Sequence, residues 1–468
     1  MDVTTQKHMN FKEIFAYSAG LFGFQAIVGF LNSYQAEFYV ATMAADLAIV
    51  GVLILVAKVL SAVFDPIVGN LIDRKDSKRG KLKPFILYSL LPLAIMTIVI
   101  FIVVPFRGVA LYAYIFVTYL LWSLAMTLGD VPSQGIASVL TPNPTERTNV
   151  VSIANTVKSV GFSAAAVIVP IACLIVPGGS QVFGFEGEKD TPISSSEYLL
   201  TAVLVGVIGC ALFSLIYFLN KERVPYTAEK MSFSDMAKAL KDNKPLIMVI
   251  VSYFLGFGRQ MAMSIQVQAS NALLGSQNYV IVLGIATAVG SVISMALVPA
   301  LIKKLGEKNV FILMSVYGFA ISLITFFVGT DNKIPMFICL FLIGLQFGAV
   351  TLLPMIMTAD CVDYYELKTG KRTEGVCYAV LSLTIKVCLA LGTALGLIML
   401  QIANYDANAG VFTESTKDII YFSYTALPGI FSLLAIFPML KYDIVGEKKL
   451  DIARQLQQKR EAAGAKVK

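Results

Sequence analysis

About twelve stretches of this chain stay apolar for roughly 20 residues or more, the length an α-helix needs to cross a bilayer. A hydrocarbon interior offers no water to backbone N–H and C=O groups, so such stretches must close their hydrogen bonds internally, as helices. With 57% hydrophobic residues, 14% charged residues and a mean hydropathy of +0.75, the chain reads as an all-α polytopic membrane protein. The expected spans are 12–40, 46–72, 84–105, 109–140, 148–177, 197–220, 245–272, 279–302, 309–330, 335–360, 374–404 and 416–440. Cys173, Cys210, Cys339, Cys361, Cys377 and Cys388 are scattered singly through these runs, without the spacing of a zinc site. They read as small core residues. The first eleven residues are polar and the apolar run after them is too long for a signal peptide, so no cleaved leader is expected.

Lys and Arg collect on one set of loops, while the other set carries only Arg107, Lys189, Lys333 and Lys417. By the positive-inside rule both termini are expected in the cytoplasm. The net charge of +7 reflects that asymmetry, and there is no soluble basic domain to bind nucleic acid. The polar segment 221–244 divides the chain into an N-terminal six-helix bundle, 1–220, and a C-terminal six-helix bundle, 245–440, followed by a cytoplasmic tail, 441–468. RKDSKRGKLK after the second span is echoed by KKLGEKN after the eighth, and TERT after the fourth by KRTEG after the tenth. Two such halves match the six-plus-six arrangement of major facilitator transporters, which bind substrate between the repeats near the midplane.

Ionisable residues inside the apolar runs carry the functional signal, because each is costly at bilayer depth unless it faces the bundle interior. Lys58, Ser61 and Asp65 fall at i, i+3 and i+7 of the second span and share one face. The fourth span carries Thr127 and Asp130 in MTLGDVP. Asp65 should lie about 12 Å, and Asp130 about 16 Å, from the nearest polar boundary, so two carboxylates can sit at similar depth. Pro66 and Pro132 free backbone carbonyls nearby, and hard cations favour oxygen ligands of this kind. The structural alternative is that Asp65 and Asp130 neutralise Lys58 or Lys386 as buried ion pairs.

The segments FDPIVGNLIDRKDSKRGKLKPF, WSLAMTLGDVP and ADCVDYYELKTGKRTEG resemble the glycoside-pentoside-hexuronide:cation symporter family, the melibiose permease-like branch of the major facilitators. The resemblance runs from FKEIFAYSAGLFGF at Phe11 past Lys386, and DYYELKTGKR is its most specific motif. It implies that Asp65 and Thr127, with Ser61 and Asp130 beside them, belong to a cation site, that Asp130 contacts a sugar, and that Lys386 lies near the cation-site carboxylates. It also implies a cytoplasmic gate made of Asp73, Arg147, Asp360, Asp363, Glu366 and Arg372.

The departures from that pattern are informative. Ser61 stands where the pattern has a second carboxylate, Gln25 where it has a sugar-binding aspartate and Gln134 where it has a tryptophan; the arginine expected in the fifth span is missing, and Lys158 is the cation there. Arg259 and Gln260, in GFGRQMAMSIQVQ of the seventh span, add polar groups of their own. A guanidinium suits a carboxylate, so a uronide is one substrate class to expect; pairing of Arg259 with Glu37 is the structural alternative. Gln266 and Gln268 lie two residues apart and should not both face one cavity. Trp122 is expected to serve packing, and the Gly-rich runs AVGSVISMA and GTALGLIML close helix contact.

The chain is therefore expected to be a symporter that imports a sugar, glycoside or uronide with a cation by alternating access, in the cell membrane and as a monomer. A same-fold transporter of a lipid-like amphiphile is the alternative. An enzyme is not expected: His8 is the only histidine, and no Ser or Cys has a base beside it. Neither a cofactor nor a structural metal is expected, only the coupling ion. Because Ser61 removes a negative charge, that ion is expected to be H+, with Na+ as the alternative.

Overall fold

The computed structural model describes all residues except 1–7, 75–79, 142, 176–192, 224–239, 276–278, 331–332, 371–373, 408–410 and 466–468. The helices are α1 (Phe11–Glu37), α2 (Leu47–Arg74), α3 (Lys83–Ile100), α4 (Val109–Gly135), α5 (Ala137–Leu140), α6 (Pro144–Ile175) and α7 (Ser195–Leu219). They continue as α8 (Lys244–Leu255), α9 (Arg259–Ser264), α10 (Gln266–Leu274), α11 (Tyr279–Leu305), α12 (Glu307–Val328), α13 (Lys333–Thr369) and α14 (Glu374–Ile402). The last are α15 (Glu414–Tyr424), α16 (Ala426–Leu434), α17 (Ile436–Leu440) and α18 (Gly446–Ala465). Among the described residues there is no strand, and ten helical segments are long and apolar enough to cross a membrane. The chain is an all-α polytopic membrane protein.

Five spans differ from the sequence expectation, the third by ending at Ile100 where 105 was expected. The seventh is broken twice, at 256–258 and at Ile265, and becomes α8, α9 and α10. Gly256 and Gly258 explain the first break, since glycine has the weakest hold on helical geometry of any residue but proline. The twelfth is divided into α15, α16 and α17, with Pro428 and Pro438 near the starts of the second and third pieces, where a missing N–H is tolerated. The fourth is interrupted at Ile136, between α4 and α5. The tenth, expected to end at 360, continues to Thr369 because YYELKT extends α13 as an amphipathic helix beyond its apolar part.

The chain packs as two compact units: residues 1–228, 263–285 and 393–420 form one, and residues 229–262, 286–392 and 421–468 the other. In the first, α1 lies against α6 and α7, α4 contacts both α2 and α3, and α3 reaches α7. Asn10 caps α1 by accepting from Glu13 N, and Glu13 returns a carboxylate oxygen to Asn10 N, the reciprocal capping box. After α7, Glu222 accepts from the amides of Lys81, Leu82 and Lys83 at the start of α3. Its neighbour Arg223 pairs with the buried Glu13 at 2.7 Å and donates to Leu140 O. Two consecutive residues thus fasten three helix ends. Trp122 is packed as expected: it is 2% exposed, donates to Thr97 Oγ1 at 3.0 Å and stacks on Tyr119.

The second unit is built around α12 and α13, with α16 on α12 and α17 on α8. The tail expected at 441–468 forms a helix, α18, that docks on α13 and buries Ile452 and Leu456. Small residues permit the closest approaches in both units. A Cβ on Gly23 of α1 would lie 2.5 Å from Gly209 O of α7, and one on Gly348 of α13 would lie 2.2 Å from Ser291 O of α11. Gly23→Val is expected to destabilise the protein by about 1–3 kcal/mol or more through overpacking. Thermal unfolding in detergent measures this, and an unchanged midpoint would contradict the close α1–α7 packing.

Candidate functional site

The polar face expected on α2 meets a matching face of α4 in the first unit. Ser61 Oγ donates to Ser123 O at 3.2 Å and lies 3.1 Å from Thr127 Oγ1. Ser61, Ser123 and Thr127 are 7%, 3% and 1% exposed, so these bonds replace water rather than compete with it. Asp65, one turn further along α2, is half-buried. On α4, Asp130 is buried and accepts from Gln134 Nε2 at 2.8 Å, an i, i+4 pair along one helix face. Ser133 Oγ donates to Asp130 O at 2.8 Å, which occupies a carbonyl just before Pro132.

Lys58 extends from the same face of α2 toward the other end of the helix. Its ammonium donates to Asn32 Oδ1 of α1 and to Thr393 Oγ1 of α14, each at 3.2 Å. Thr393 Oγ1 is also 3.0 Å from Ser264 Oγ. Among the described residues the partners of Lys58 are therefore neutral oxygens, not Asp65 or Asp130, and the buried-pair alternative for this lysine does not describe the molecule. Gln25 on α1 and Lys158 on α6 belong to the same unit and are half-buried.

In the second unit, Arg259 opens α9 directly after the glycine break and is 7% exposed. Its guanidinium lies over the ring of Tyr253, 5.9 Å from the centroid, and packs against Gly256, where a Cβ would come within 2.2 Å of Nη2. Nη1 is buried and has no hydrogen-bond partner among the described residues. A buried donor left unmet costs about 1–3 kcal/mol. Gln260 Nε2 reaches Tyr253 Oη at 3.4 Å, and Lys386 on α14 is half-buried in this unit. Glu37, the structural alternative as partner of Arg259, belongs to the first unit and accepts from Tyr405 Oη at 3.1 Å. Gln268 is fully buried and Gln266, which donates to Val280 O, is half-buried, so the two do differ in environment.

Of the six expected gate residues, Arg372 lies outside the described residues, and the side chains of Asp73 and Arg147 do also. Asp360, Asp363 and Glu366 line successive turns of α13 and are half-buried. Asp360 has a partner that sequence reasoning missed: Lys449 of α18 bridges Asp360 Oδ2 at 2.8 Å and Glu307 Oε1 at 2.5 Å. Lys448 lies over the ring of Tyr364, and Lys459 donates to Leu367 O.

Asn32, Ser123, Ser264 and Thr393 were also missed. Two of them carried a periodic signal: Asn32 follows Gln25, and Thr393 follows Lys386, by seven residues, which places each pair on one helix face.

Apolar helices of membrane-crossing length, with the polar faces of α2 and α4 turned toward one another, define a multi-pass membrane transporter. Residues 16–446 match the family model described as MFS/sugar transport protein, and the chain belongs to that family of transporters, not enzymes. Relatives include the inner membrane symporter YicJ of Escherichia coli, 27% identical over 96% of this chain and 95% of its own length. The putative glycoside/cation symporter YagG of the same organism is 28% identical over 92% of both chains. The crystal structure of the nucleoside transporter NupG superposes with a TM-score of 0.64 at 14% identity, covering 93% of this chain and 100% of that one, which shows the shared fold.

Partial burial works against the charge of Lys449, but its bonds to Asp360 and Glu307 outweigh that and raise its pKa above the ordinary lysine value. A raised pKa in the folded state means that the stabilisation is complete below the unfolded value near pH 10.5 and is lost as pH rises through the folded value. Docking of α18 should therefore be insensitive to pH across the neutral range. Lys449→Ala is expected to loosen α18 at pH 7, which faster amide exchange over 446–465 would register. Unchanged exchange would leave Ile452 and Leu456 as the anchors.

Proposed function

We propose that this chain is a secondary active symporter that imports a sugar or glycoside together with a proton by alternating access. The observation that carries the reading is the α2–α4 face. Asp65 stands one turn from a Ser61 hydroxyl already engaged by Thr127 and Ser123, and Asp130 is presented with Gln134 beside it. Asp130 and Gln134 offer the acceptor and donor that sugar hydroxyls need. Asp65 offers a single titratable oxygen pair to the coupling ion. The name borne by YagG supports a glycoside as the substrate class.

On this reading the two six-helix halves, 1–220 and 245–440, alternate about the substrate, with the middle loop 221–244 and both termini in the cytoplasm of a bacterial cell and the protein working as a monomer. The proton is favoured over sodium because a proton needs only one basic oxygen, whereas sodium needs a nearly complete oxygen shell. Ser61 in place of a carboxylate removes part of that shell. The unmatched Nη1 of Arg259 favours a substrate with an acidic group, such as a uronide, within the sugar class.

Uptake into membrane vesicles with imposed gradients tests the coupling. An inward proton gradient should drive accumulation of the transported glycoside without sodium, and Asp65→Asn should abolish accumulation while leaving substrate exchange. Strict sodium dependence at fixed pH would overturn proton coupling. For the substrate, Asp130→Asn should weaken binding of every sugar about 100-fold or more, as a polar site does when a partner is lost. Arg259→Gln should harm a uronide much more than its neutral counterpart, and equal losses would make Arg259 structural.

A further inference from the structure

The first unit is not one stretch of chain: 263–285 and 393–420 pack in it with residues 1–228. These two later stretches meet the first two helices at one end, where α1 finishes and α2 starts. Glu37, the last residue of α1, is fully buried, and its Oε1 accepts from Tyr405 Oη at 3.1 Å. Asn271 Nδ2 of α10 donates to that same Tyr405 oxygen at 3.2 Å, and the Tyr405 ring stacks on Phe412. Gln401 Nε2 reaches Asp46 Oδ2, just ahead of α2, at 3.3 Å. One turn into α2, a Cβ on Gly51 would lie 3.3 Å from Leu397 Cβ of α14, so these two helices pack closely. Hydrogen bonds and close packing thus join early and late parts of the chain at the end away from the loops rich in Lys and Arg.

We infer that Glu37, Tyr405 and Asn271 form a latch that closes the outer end of the transport path and opens in each cycle. The inference rests on the alternating-access reading with cytoplasmic termini, and it names the residues that hold one side shut. Two features fit a latch better than permanent packing. The first is the broken seventh span: α10, which carries Asn271, is separated from α8 by the interruptions at 256–258 and Ile265, and the first unit takes up the chain at 263, between them. Because the helix is interrupted, α10 can shift without carrying α8 along. The second is the chemistry of the contact. Burying a carboxyl group costs hydration, which its hydrogen bond to Tyr405 offsets while the joint is closed. Water takes over that bond when the joint opens, so neither state leaves the group unmet and the two stay close in free energy. An apolar side chain at 37 would instead expose hydrophobic surface at every opening.

A membrane-impermeant maleimide added outside right-side-out vesicles tests the latch on the full chain. The reporter is Leu397→Cys, at a fully buried position of the joint, and wild-type protein with its six native cysteines gives the background. Exposed Ser415→Cys, at the start of α15, sets the rate for an open site. Leu397→Cys should label slowly but to completion. Adding Tyr405→Phe, which keeps the ring and removes both hydrogen bonds, should speed labelling on the order of fivefold. Glu37→Leu should do the same, whereas Glu37→Gln, which keeps an acceptor for Tyr405, should stay near the rate of the reporter alone. Asn271→Ala should act in the same direction as Tyr405→Phe, so the test still decides if Glu37→Leu does not fold. Gly51→Cys with Leu397→Cys should form a disulfide under mild oxidant and lose labelling, because the two Cβ positions are close enough for one. Labelling of Leu397→Cys as fast as Ser415→Cys would show no closure there, and no labelling above background would show permanent packing. Either result, or equal rates across the latch variants, would overturn the inference. The labelling needs no sugar, so a failure of sugar uptake would remove the transport reading while the maleimide still reports whether this end opens.

Discussion

A charge carried into the apolar interior of a membrane must be met by another side chain, because hydrocarbon supplies nothing to solvate it; even the milder insertion scales set the cost near 2.5–3.5 kcal/mol. The architecture of this chain follows from how each such group is met. Asp130 is met by Gln134, Ser61 by Thr127 and Ser123, and Lys58 by Asn32 and Thr393. Arg259 is met by the face of Tyr253, and its Nη1 has no hydrogen-bond partner among the described residues.

The surrounding packing holds these groups in register. Glycine contacts bring α1 onto α7 and α11 onto α13 closely enough that a methyl group would collide with backbone. At the helix ends, the charged residues are fasteners: Glu222 and Arg223 tie α3, α5 and α1, and Lys449 ties α18 to α12 and α13. Such pairs contribute little one by one at an exposed surface. Their effect here comes from joining several elements through a single residue, so that one loop fixes several helix ends together.

Much of this was legible in the sequence, for a physical reason. Apolar runs of helix length admit one kind of backbone in a membrane, so the all-α polytopic class and most spans could be read directly. The α2 and α4 residues were legible because a charge in such a run is rare. Neutral polar partners were not: Asn32, Ser123, Ser264 and Thr393 belong to residue types that occur throughout apolar helices without consequence, and only their heptad spacing from Gln25 or Lys386 set two of them apart. The breaks in the seventh and twelfth spans were missed because hydropathy is blind to helix continuity, although Gly256, Gly258, Pro428 and Pro438 were in plain view. The docking of α18 was hidden because a helix with three buried apolar or tethered positions among many charges reads as a solvated tail.

The central claim is that the coupling ion rides on Asp65 as a proton. Calorimetric titration of the purified protein with its transported sugar, repeated in buffers of different ionisation enthalpy at one pH, measures it most directly. The slope of observed enthalpy against buffer enthalpy gives the protons exchanged on binding. The account predicts net proton uptake in the wild type that vanishes in Asp65→Asn, with no change when sodium replaces choline. A zero slope in the wild type together with sodium-dependent affinity would contradict it.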